Sequence, residues 1–226
     1  MAFTLNDVVP WGRNLAEYCA MFDLGEAEKR LSILGCGDGP ASFNCEGTAQ
    51  GMRIVSADPL YQFRAADIRE RIDATARTIT TQLRSNRDSY VWKNFADVDE
   101  LIATRLAAME QFMADYEAGI AQGRYVTGGF PDLPFHDSSF DLALCSHLLF
   151  LYSEQQNLPF HLQALRELTR VAEEVRIFPL LELDGRESRH LRAVLLAVQR
   201  MGLKAEKLAV PYEFQRGANQ MLRITR

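Results

Sequence analysis

The sequence lacks several features that would assign it to a specialised class of protein. Its 226 residues include only four cysteines, with no CxxC pair and no metal-ligand spacing, so we expect reduced thiols, no disulfide scaffold and no metal site. No apolar run approaches the roughly 18 residues that span a bilayer, and no basic segment followed by an apolar run marks a signal peptide. These absences predict a cytoplasmic protein without membrane contact.

Positive charge and the motifs of several enzyme classes are also missing. Lys and Arg number 25 against 30 Asp and Glu, a net charge of -5, which disfavours nucleic acid as a partner. There is no G-x-S-x-G nucleophile elbow, no H-E-x-x-H zinc helix and no phosphate-binding Gly-Lys-Ser/Thr. What remains, 47% hydrophobic and 24% charged residues, is typical of a globular domain, and it gives no indication of oligomeric state.

Predicted strands alternate with predicted helices along most of the chain. Apolar runs predict strands at 29–34, 52–57, 124–127, 140–146, 175–183, 205–214 and 220–225, the last two without a helix between them. Helical patterns cover 10–24, 40–51, 60–84, 96–121, 159–171 and 187–201. We therefore expect an α/β fold: a doubly wound, seven-stranded, mostly parallel sheet with helices on both faces and a C-terminal antiparallel hairpin.

This pattern predicts a single domain over residues 1–226 with two additions. A helix over about 10–24 precedes the first strand and is free to cap the open end of the sheet, which would place Trp11 and Arg13 at its mouth. A packing role is the favoured explanation of Trp11. The helical region over about 85–122 exceeds what a crossover needs, so we interpret it as an insertion or lid. Core packing alone would also explain its apolar stripe.

The most informative stretch is 31–43, in which an apolar run ends in Gly35, Gly37 and Gly39. Glycines at such spacing let the backbone turn sharply and lie close to a ligand, although an ordinary strand-to-helix turn would need them too. A dinucleotide fingerprint would have a third glycine where Pro40 stands, and Asp38 would repel a phosphate. The turn therefore favours a nucleoside-like ligand without phosphates that carries positive charge.

Asp58 follows the second predicted strand, about 20 residues after the glycine turn. A carboxylate there can accept hydrogen bonds from both hydroxyls of a ribose, while an Asp-Pro pair can also simply begin a turn. The stretches 129–132 and 146–147 likewise follow predicted strands. Since the carboxyl ends of parallel strands share one edge of the sheet, these loops should meet in one crevice.

Taken in order, these motifs resemble those of the class I S-adenosylmethionine-dependent methyltransferases. The matching residues are 33–39, Asp58-Pro59 and 133–147. The resemblance implies a Rossmann-like fold, S-adenosylmethionine as cofactor and methyl transfer as the reaction. It implies that the cofactor-binding residues include Gly35, Cys36, Gly37, Asp58, Pro59, Asp132, Leu133 and Ser146. Among these, Asp58 would bind the ribose, and Asp132 with the Leu133 backbone would face the adenine edge.

Two positions depart from the family pattern, which usually has acidic residues where Ile33 and Gly129 stand. Either loss could weaken cofactor binding. As a compensation, we expect the N-terminal helix to close the crevice and to pair Arg13 with the carboxylate of the cofactor.

The reaction mainly requires that donor and acceptor be positioned, and a base only if the acceptor must lose a proton. His147 is the predicted base, with a structural histidine as the alternative, whereas His161 and His190 look like exposed helix positions. Aromatic residues in the lid, including Phe95, Phe112 and Tyr116, favour a small-molecule acceptor. The competing hypotheses are an inactive S-adenosylmethionine-binding protein and a nicotinamide-dependent oxidoreductase.

Overall fold

The computed structural model describes residues 9–226, and within them seven strands form one sheet. The strands are β1 (Ser32–Cys36), β2 (Arg53–Ala57), β3 (Tyr125–Val126), β4 (Phe140–Ser146), β5 (Ala172–Phe178), β6 (Lys204–Ala209) and β7 (Gln220–Thr225). Their order is β3-β2-β1-β4-β5-β7-β6, and β7 alone runs opposite to the other six strands. The predicted fold class, including the C-terminal hairpin, is confirmed.

Six α-helices accompany these strands within the described residues, the first of them before β1. They are α1 (Leu15–Phe22), α2 (Phe43–Ala49), α3 (Ala65–Ser85), α4 (Val98–Ala121), α5 (Leu158–Val171) and α6 (Leu191–Arg200). None of the helices within residues 9–226 is long and apolar enough to cross a bilayer.

Helices cover both faces of the sheet because its central strands are apolar on both sides. Leu34 of β1 and Ala143 of β4 pack in a cluster with side chains of α5 and α6. Their neighbours Ile33 and Leu142 point the other way, into a cluster with α1 and α2. All four side chains are fully buried. Since successive residues of a strand face opposite sides, this burial fixes the sheet as a middle layer.

The N-terminal helix is shorter than predicted and begins at Leu15. Asn14 accepts a hydrogen bond from the Glu17 amide, and the Glu17 carboxylate accepts one from the Asn14 amide, a capping box that starts the helix there. Trp11 and Arg13 therefore lie in the extended segment before α1, which runs over the carboxyl ends of the strands.

Other predicted boundaries are also wrong, among them those of α2, β5 and β6, and β5 runs from Ala172 to Phe178 in place of 175–183. Helix α2 begins at Phe43, so Pro40 is not its first residue, although Gly51 does follow its end with φ +84°. Strand β6 ends at Ala209, five residues early, because Pro211 has no N–H to donate to a ladder. Residues 210–219 instead form a loop that turns back toward the carboxyl ends of the strands.

The buried face of β4 sets the stability of the sheet. Leu144 is fully buried between β4 and the helices of the α1 face, whereas Leu196 on α6 is 48% exposed. We predict that Leu144→Ala lowers the free energy of unfolding by about 2–5 kcal/mol, since it leaves a cavity. The matched Leu196→Ala should change it by no more than about 0.5 kcal/mol. Urea unfolding of both variants measures the difference, and equal midpoints would contradict this account of the core.

Candidate functional site

A cavity of about 500 Å³ opens at the carboxyl ends of β1, β2 and β4. Its floor is formed by the glycine turn after β1 and by the residues that follow β2 and β4. Its walls come from the segment before α1, from α3 and α4, and from the loops 128–133 and 210–219. The loops that the sequence predicted to meet do meet here, at the point beside β1 where strand order reverses.

The glycine turn has a backbone that other residues would not readily adopt. Gly37 and Gly39 have φ values of +71° and +54°. A Cβ on Gly37 would lie 2.5 Å from Cδ2 of Leu148, so a side chain there would collide with the segment after β4. The turn therefore brings bare backbone to the cavity surface.

Asp38, within that turn, is buried beneath it. Its Oδ1 accepts a hydrogen bond of 2.7 Å from the Tyr18 hydroxyl, and its Oδ2 accepts one of 2.6 Å from the Ser56 hydroxyl. Burial raises the pKa of Asp38 to about 6, against the two hydrogen bonds, which lower it. A Cβ on Gly35 would lie 1.9 Å from Oδ2 of Asp38. Gly35 does not line the cavity, and what it provides is space for this carboxylate.

Asp58 holds the same turn from the other side. Its Oδ2 accepts a 2.8 Å hydrogen bond from the Gly39 amide, and its Oδ1 accepts a 2.7 Å bond from the Leu60 amide. Burial raises the pKa of Asp58, and the two backbone amides counteract that rise. Each carboxylate oxygen keeps a second lone pair, and the residue lines the cavity. Asp58 thus holds the turn and also has lone pairs that can accept hydrogen bonds from a diol.

Ser146 and His147 lie where β4 enters the cavity. His147 has φ +53°, and its amide donates a 2.7 Å hydrogen bond to the Phe178 carbonyl, which fixes this strained residue in place. Its Nδ1 lies 2.9 Å from Oγ of Ser146. Burial, together with the charges of Arg13 and Arg105, lowers the pKa of His147 well below its usual value. The imidazole is therefore neutral at physiological pH.

Three arginines line the cavity, and the buried carboxylate of Glu17 faces two of them, Arg13 and Arg105. Arg105, 1% exposed, forms an ion pair with Glu17, and both side chains hydrogen-bond the Tyr212 hydroxyl. Arg13 donates one hydrogen bond, to the Trp11 carbonyl, and its Nε has no partner within residues 9–226. Burial and the charge of Arg105 lower the pKa of Arg13. The wall thus carries more positive than negative charge.

Of this cluster, the sequence motifs predicted Arg13 and not Arg105, Glu17 or Tyr212. Arg105 lies four residues after Leu101 and four before Met109 in the apolar stripe of α4. Glu17 likewise lies on the buried side of α1. A charged residue in a buried stripe is a signal that could have identified both, because burial of a charge requires a partner.

Most of the predicted site residues line the cavity. Those that do are Arg13, Cys36, Gly37, Asp58, Pro59, Leu133, Ser146 and His147. Gly35 and Asp132 do not line it. The amide of Asp132 donates to the Gly129 carbonyl in a tight turn that leaves its side chain exposed.

The neighbourhood of Leu133 also differs from the expectation. Its amide, expected to face an adenine, donates a 3.0 Å hydrogen bond to Glu167 of α5, so only the side chain is offered to the cavity. The absence of an acidic residue at Gly129 has a steric reason. A Cβ there would lie 2.8 Å from Cγ of Pro59, and the approach of these two loops closes the floor.

The aromatic residues of the cavity are not those that the sequence suggested. Phe112 and Tyr116 pack with Tyr61 and Tyr125 in a separate cluster beside β3, and Phe95 packs against Phe214. The aromatic side chains that line the cavity include Trp11, Phe63, Tyr90 and Phe214. These come from segments far apart in sequence.

The expectation for His161 was wrong as well. It is buried on α5, 1% exposed, where its Nδ1 lies 2.9 Å from the Asn157 carbonyl. It lies outside the cavity lining and packs against the ring of His190.

Comparison with known proteins identifies a relative. No protein-family model matches the chain. It is 34% identical over 223 residues to "Uncharacterized protein MJ0045" of Methanocaldococcus jannaschii, a match that covers 98% of each sequence. The chain belongs to the MJ0045 family.

Solved structures show which fold this member of the MJ0045 family has. It superposes on the mitomycin 7-O-methyltransferase MmcR with a TM-score of 0.51 and 14% identity, over 94% of this chain and 53% of that one. The chain thus spans about half the length of MmcR. A SAM-dependent methyltransferase from Aquifex aeolicus gives a TM-score of 0.44 and 13% identity, over 92% and 90% of the two chains. The fold is that of the class I S-adenosylmethionine-dependent methyltransferases, as the motifs predicted.

A methyl group placed on Gly35 tests whether the Asp38 carboxylate needs the space that this glycine leaves. We predict that Gly35→Ala lowers the free energy of unfolding by about 1–3 kcal/mol, because the new methyl group displaces the Asp38 carboxylate from Tyr18 and Ser56. Gly25→Ala is the matched control, since its Cβ would make only an ordinary 3.4 Å contact with Glu28. Urea unfolding compares the two, and equal effects would show that Asp38 does not depend on Gly35.

Proposed function

We propose that the protein is an S-adenosylmethionine-dependent methyltransferase acting on a small-molecule acceptor. The proposal rests on three groups that one cavity brings together. They are the bare backbone of the turn at Gly37, the Asp58 carboxylate with its free lone pairs and the Arg13 guanidinium with its unpartnered Nε. S-adenosylmethionine offers a matching group for each: a methionine ammonium, a ribose diol and a carboxylate. The fold shared with methyltransferases supports the same conclusion.

The residues of the chain fit this cofactor at its nucleoside end. Asp58 would accept hydrogen bonds from the ribose hydroxyls with the lone pairs that the Gly39 and Leu60 amides leave free. Pro59 and the side chain of Leu133 would pack near the adenine, since both line the cavity beside Asp58. Asp132 has no place in this arrangement.

At the methionine end the turn at Cys36 and Gly37 would support the amino acid, with Ser146 at its border. Arg13 would bind the carboxylate through its unpartnered Nε. A pyrophosphate fits less well, because Asp38 and Asp58 are both held in the turn where its charge would lie. This arrangement disfavours a nicotinamide dinucleotide.

The acceptor would occupy the part of the cavity between α3, α4 and the loop 210–219. Ile79, Leu83, Leu101 and Phe214 make this part apolar. We propose that the region over 85–122 and the segment before α1 act as its lid.

When bound, S-adenosylmethionine supplies a methyl group activated by a sulfonium. His147 would border the acceptor and, being neutral, could take a proton from it. An inactive binding protein of the same fold remains the second hypothesis.

Ligand-dependent stability tests the cofactor. We predict that S-adenosylmethionine and S-adenosylhomocysteine raise the melting temperature, because a ligand at a hundredfold excess over its Kd stabilises the native state by about 2.7 kcal/mol. NAD, with its pyrophosphate, should not. Differential scanning fluorimetry with the three ligands makes the measurement. Stabilisation by NAD alone would overturn the proposal, and transfer of a labelled methyl group to an acceptor would exclude the inactive-protein hypothesis.

The role of Arg13 can be isolated by a pair of ligands. We predict that Arg13→Ala weakens binding of S-adenosylhomocysteine by about 10–100-fold, the loss expected for a charge-assisted hydrogen bond. The same variant should bind 5′-methylthioadenosine as the wild type does, since that ligand has the nucleoside but no carboxylate. Calorimetry gives both constants. Equal weakening for the two ligands would show that Arg13 acts through the fold and not through the carboxylate.

A further inference from the structure

Two of the three arginines that line the cavity have no carboxylate partner among residues 9–226. Arg105 pairs with Glu17, whereas Arg13 and Arg71 form no ion pair within these residues. In the proposed function, Arg13 binds the carboxylate of the cofactor. The guanidinium of Arg71 is then left without an anion from either the protein or the cofactor.

An aromatic ring holds Arg71 at the mouth of the cavity. Its Cζ lies 3.8 Å from the centroid of the Phe63 ring, a cation–π contact. Both residues line the cavity and also a shallow depression on the surface beside it, so they stand where the cavity meets solvent. Contact with the ring uses none of the five N–H donors of the guanidinium. Phe63 therefore positions a cation whose donors are available to a ligand.

The side of α3 that faces the cavity continues from this arginine into apolar residues. Arg71, Ile79 and Leu83 all lie on α3 and line the cavity. Along the helix axis, Arg71 is about 12 Å from Ile79 and about 18 Å from Leu83, at the usual rise per residue. The wall then continues with the stacked rings of Tyr90 and Phe214, whose centroids are 4.6 Å apart. This wall offers apolar surface along its length and a cation at one end.

The charges of the site favour an acceptor that is an anion. Among the described residues, the acidic side chains in the lining are Asp38 and Asp58, both at the glycine turn. At pH 7 Asp38 is ionised, since its pKa is about 6. Together with Glu17, these carboxylates equal the three arginines in number. S-adenosylmethionine has two cationic groups and one carboxylate, so it adds one positive charge. An anionic acceptor neutralises that charge, whereas a cationic acceptor adds another in an apolar cavity, which is costly.

We propose that the methyl acceptor is an apolar organic acid whose anionic group pairs with Arg71 and whose apolar body lies along α3 at Ile79 and Leu83. This inference names the substrate class of the site and rests on the proposed function. Arg71 is a specificity-determining residue in this arrangement, because it favours an anion over a neutral molecule of the same shape.

Two fluorescent probes that differ by one charge test the pairing without a cofactor. 1-Anilinonaphthalene-8-sulfonate is an apolar anion, and N-phenyl-1-naphthylamine has the same aromatic body without the sulfonate. We expect the wild type to bind the anion more tightly. Arg71→Gln should weaken binding of the anion by about tenfold, the loss expected for a charge-assisted hydrogen bond, and should leave binding of the neutral probe unchanged. Fluorescence titration gives the four dissociation constants.

Arg77→Gln is the matched control. Arg77 is exposed on the same helix but does not line the cavity, so both probes should bind this variant as they bind the wild type. Equal effects of the two substitutions on the anion, or equal weakening of both probes by Arg71→Gln, would overturn the proposal. Arg71 is itself exposed, so urea unfolding of Arg71→Gln should match that of the wild type.

Saturating S-adenosylhomocysteine then distinguishes an acceptor site from the nucleoside site. We expect the sulfonate probe still to bind, because Arg71 pairs with the acceptor and not with the cofactor. Displacement of the probe would assign Arg71 to the nucleoside site and contradict the proposal. If S-adenosylhomocysteine does not bind at all, the proposed function fails, whereas the charge selectivity of Arg71 is measured without that ligand and is unaffected.

Discussion

Two carboxylates, one buried and one half-buried, hold the turn after β1, and the cavity depends on them. Asp58 accepts the Gly39 amide, and Asp38 lies under Gly35, bound by a hydroxyl from α1 and another from β2. Together they tie the first two strands and the N-terminal helix to one bend of backbone. Among the residues described, Asp38 makes no ion pair, so its charge is held by neutral donors alone. Such a group destabilises the fold when ionised, a cost typical of functional sites.

A buried ion pair positions the opposite wall of the cavity. Arg105 and Glu17 form a buried ion pair that joins α4 to α1, and Tyr212 brings the loop 210–219 to the same point. A buried pair contributes little net stability, but its loss is costly because it leaves an unpaired charge. The pair therefore specifies where three distant segments meet. Arg13 faces this pair and, within residues 9–226, has no carboxylate of its own, which is why we propose that a ligand pairs with it.

Much of the fold was predictable because its signals are local. Apolar runs and their spacing placed the strands, and glycine at alternate positions located the turn. Boundaries were less predictable where side chains decided them, as at Asn14 and Glu17, or where Pro211 ended a strand. The cavity walls could not be predicted, because Phe214 and Tyr90 reach the cavity through the loop after β6 and the segment between α3 and α4. No local sequence pattern indicates that these two distant segments come together.

The sequence by itself determined the fold class, and it determined that the glycine turn and Asp58 lie at the same edge of the sheet. The reason is that the carboxyl ends of parallel strands share one edge. The tertiary structure decided what those residues face. It turned Asp38 inward, so that Gly35 serves a carboxylate and not the cavity. It exposed Asp132 and joined Arg105 to Glu17 across 88 positions of the chain. These outcomes depend on packing between distant segments, where burial requires each polar group to find a partner.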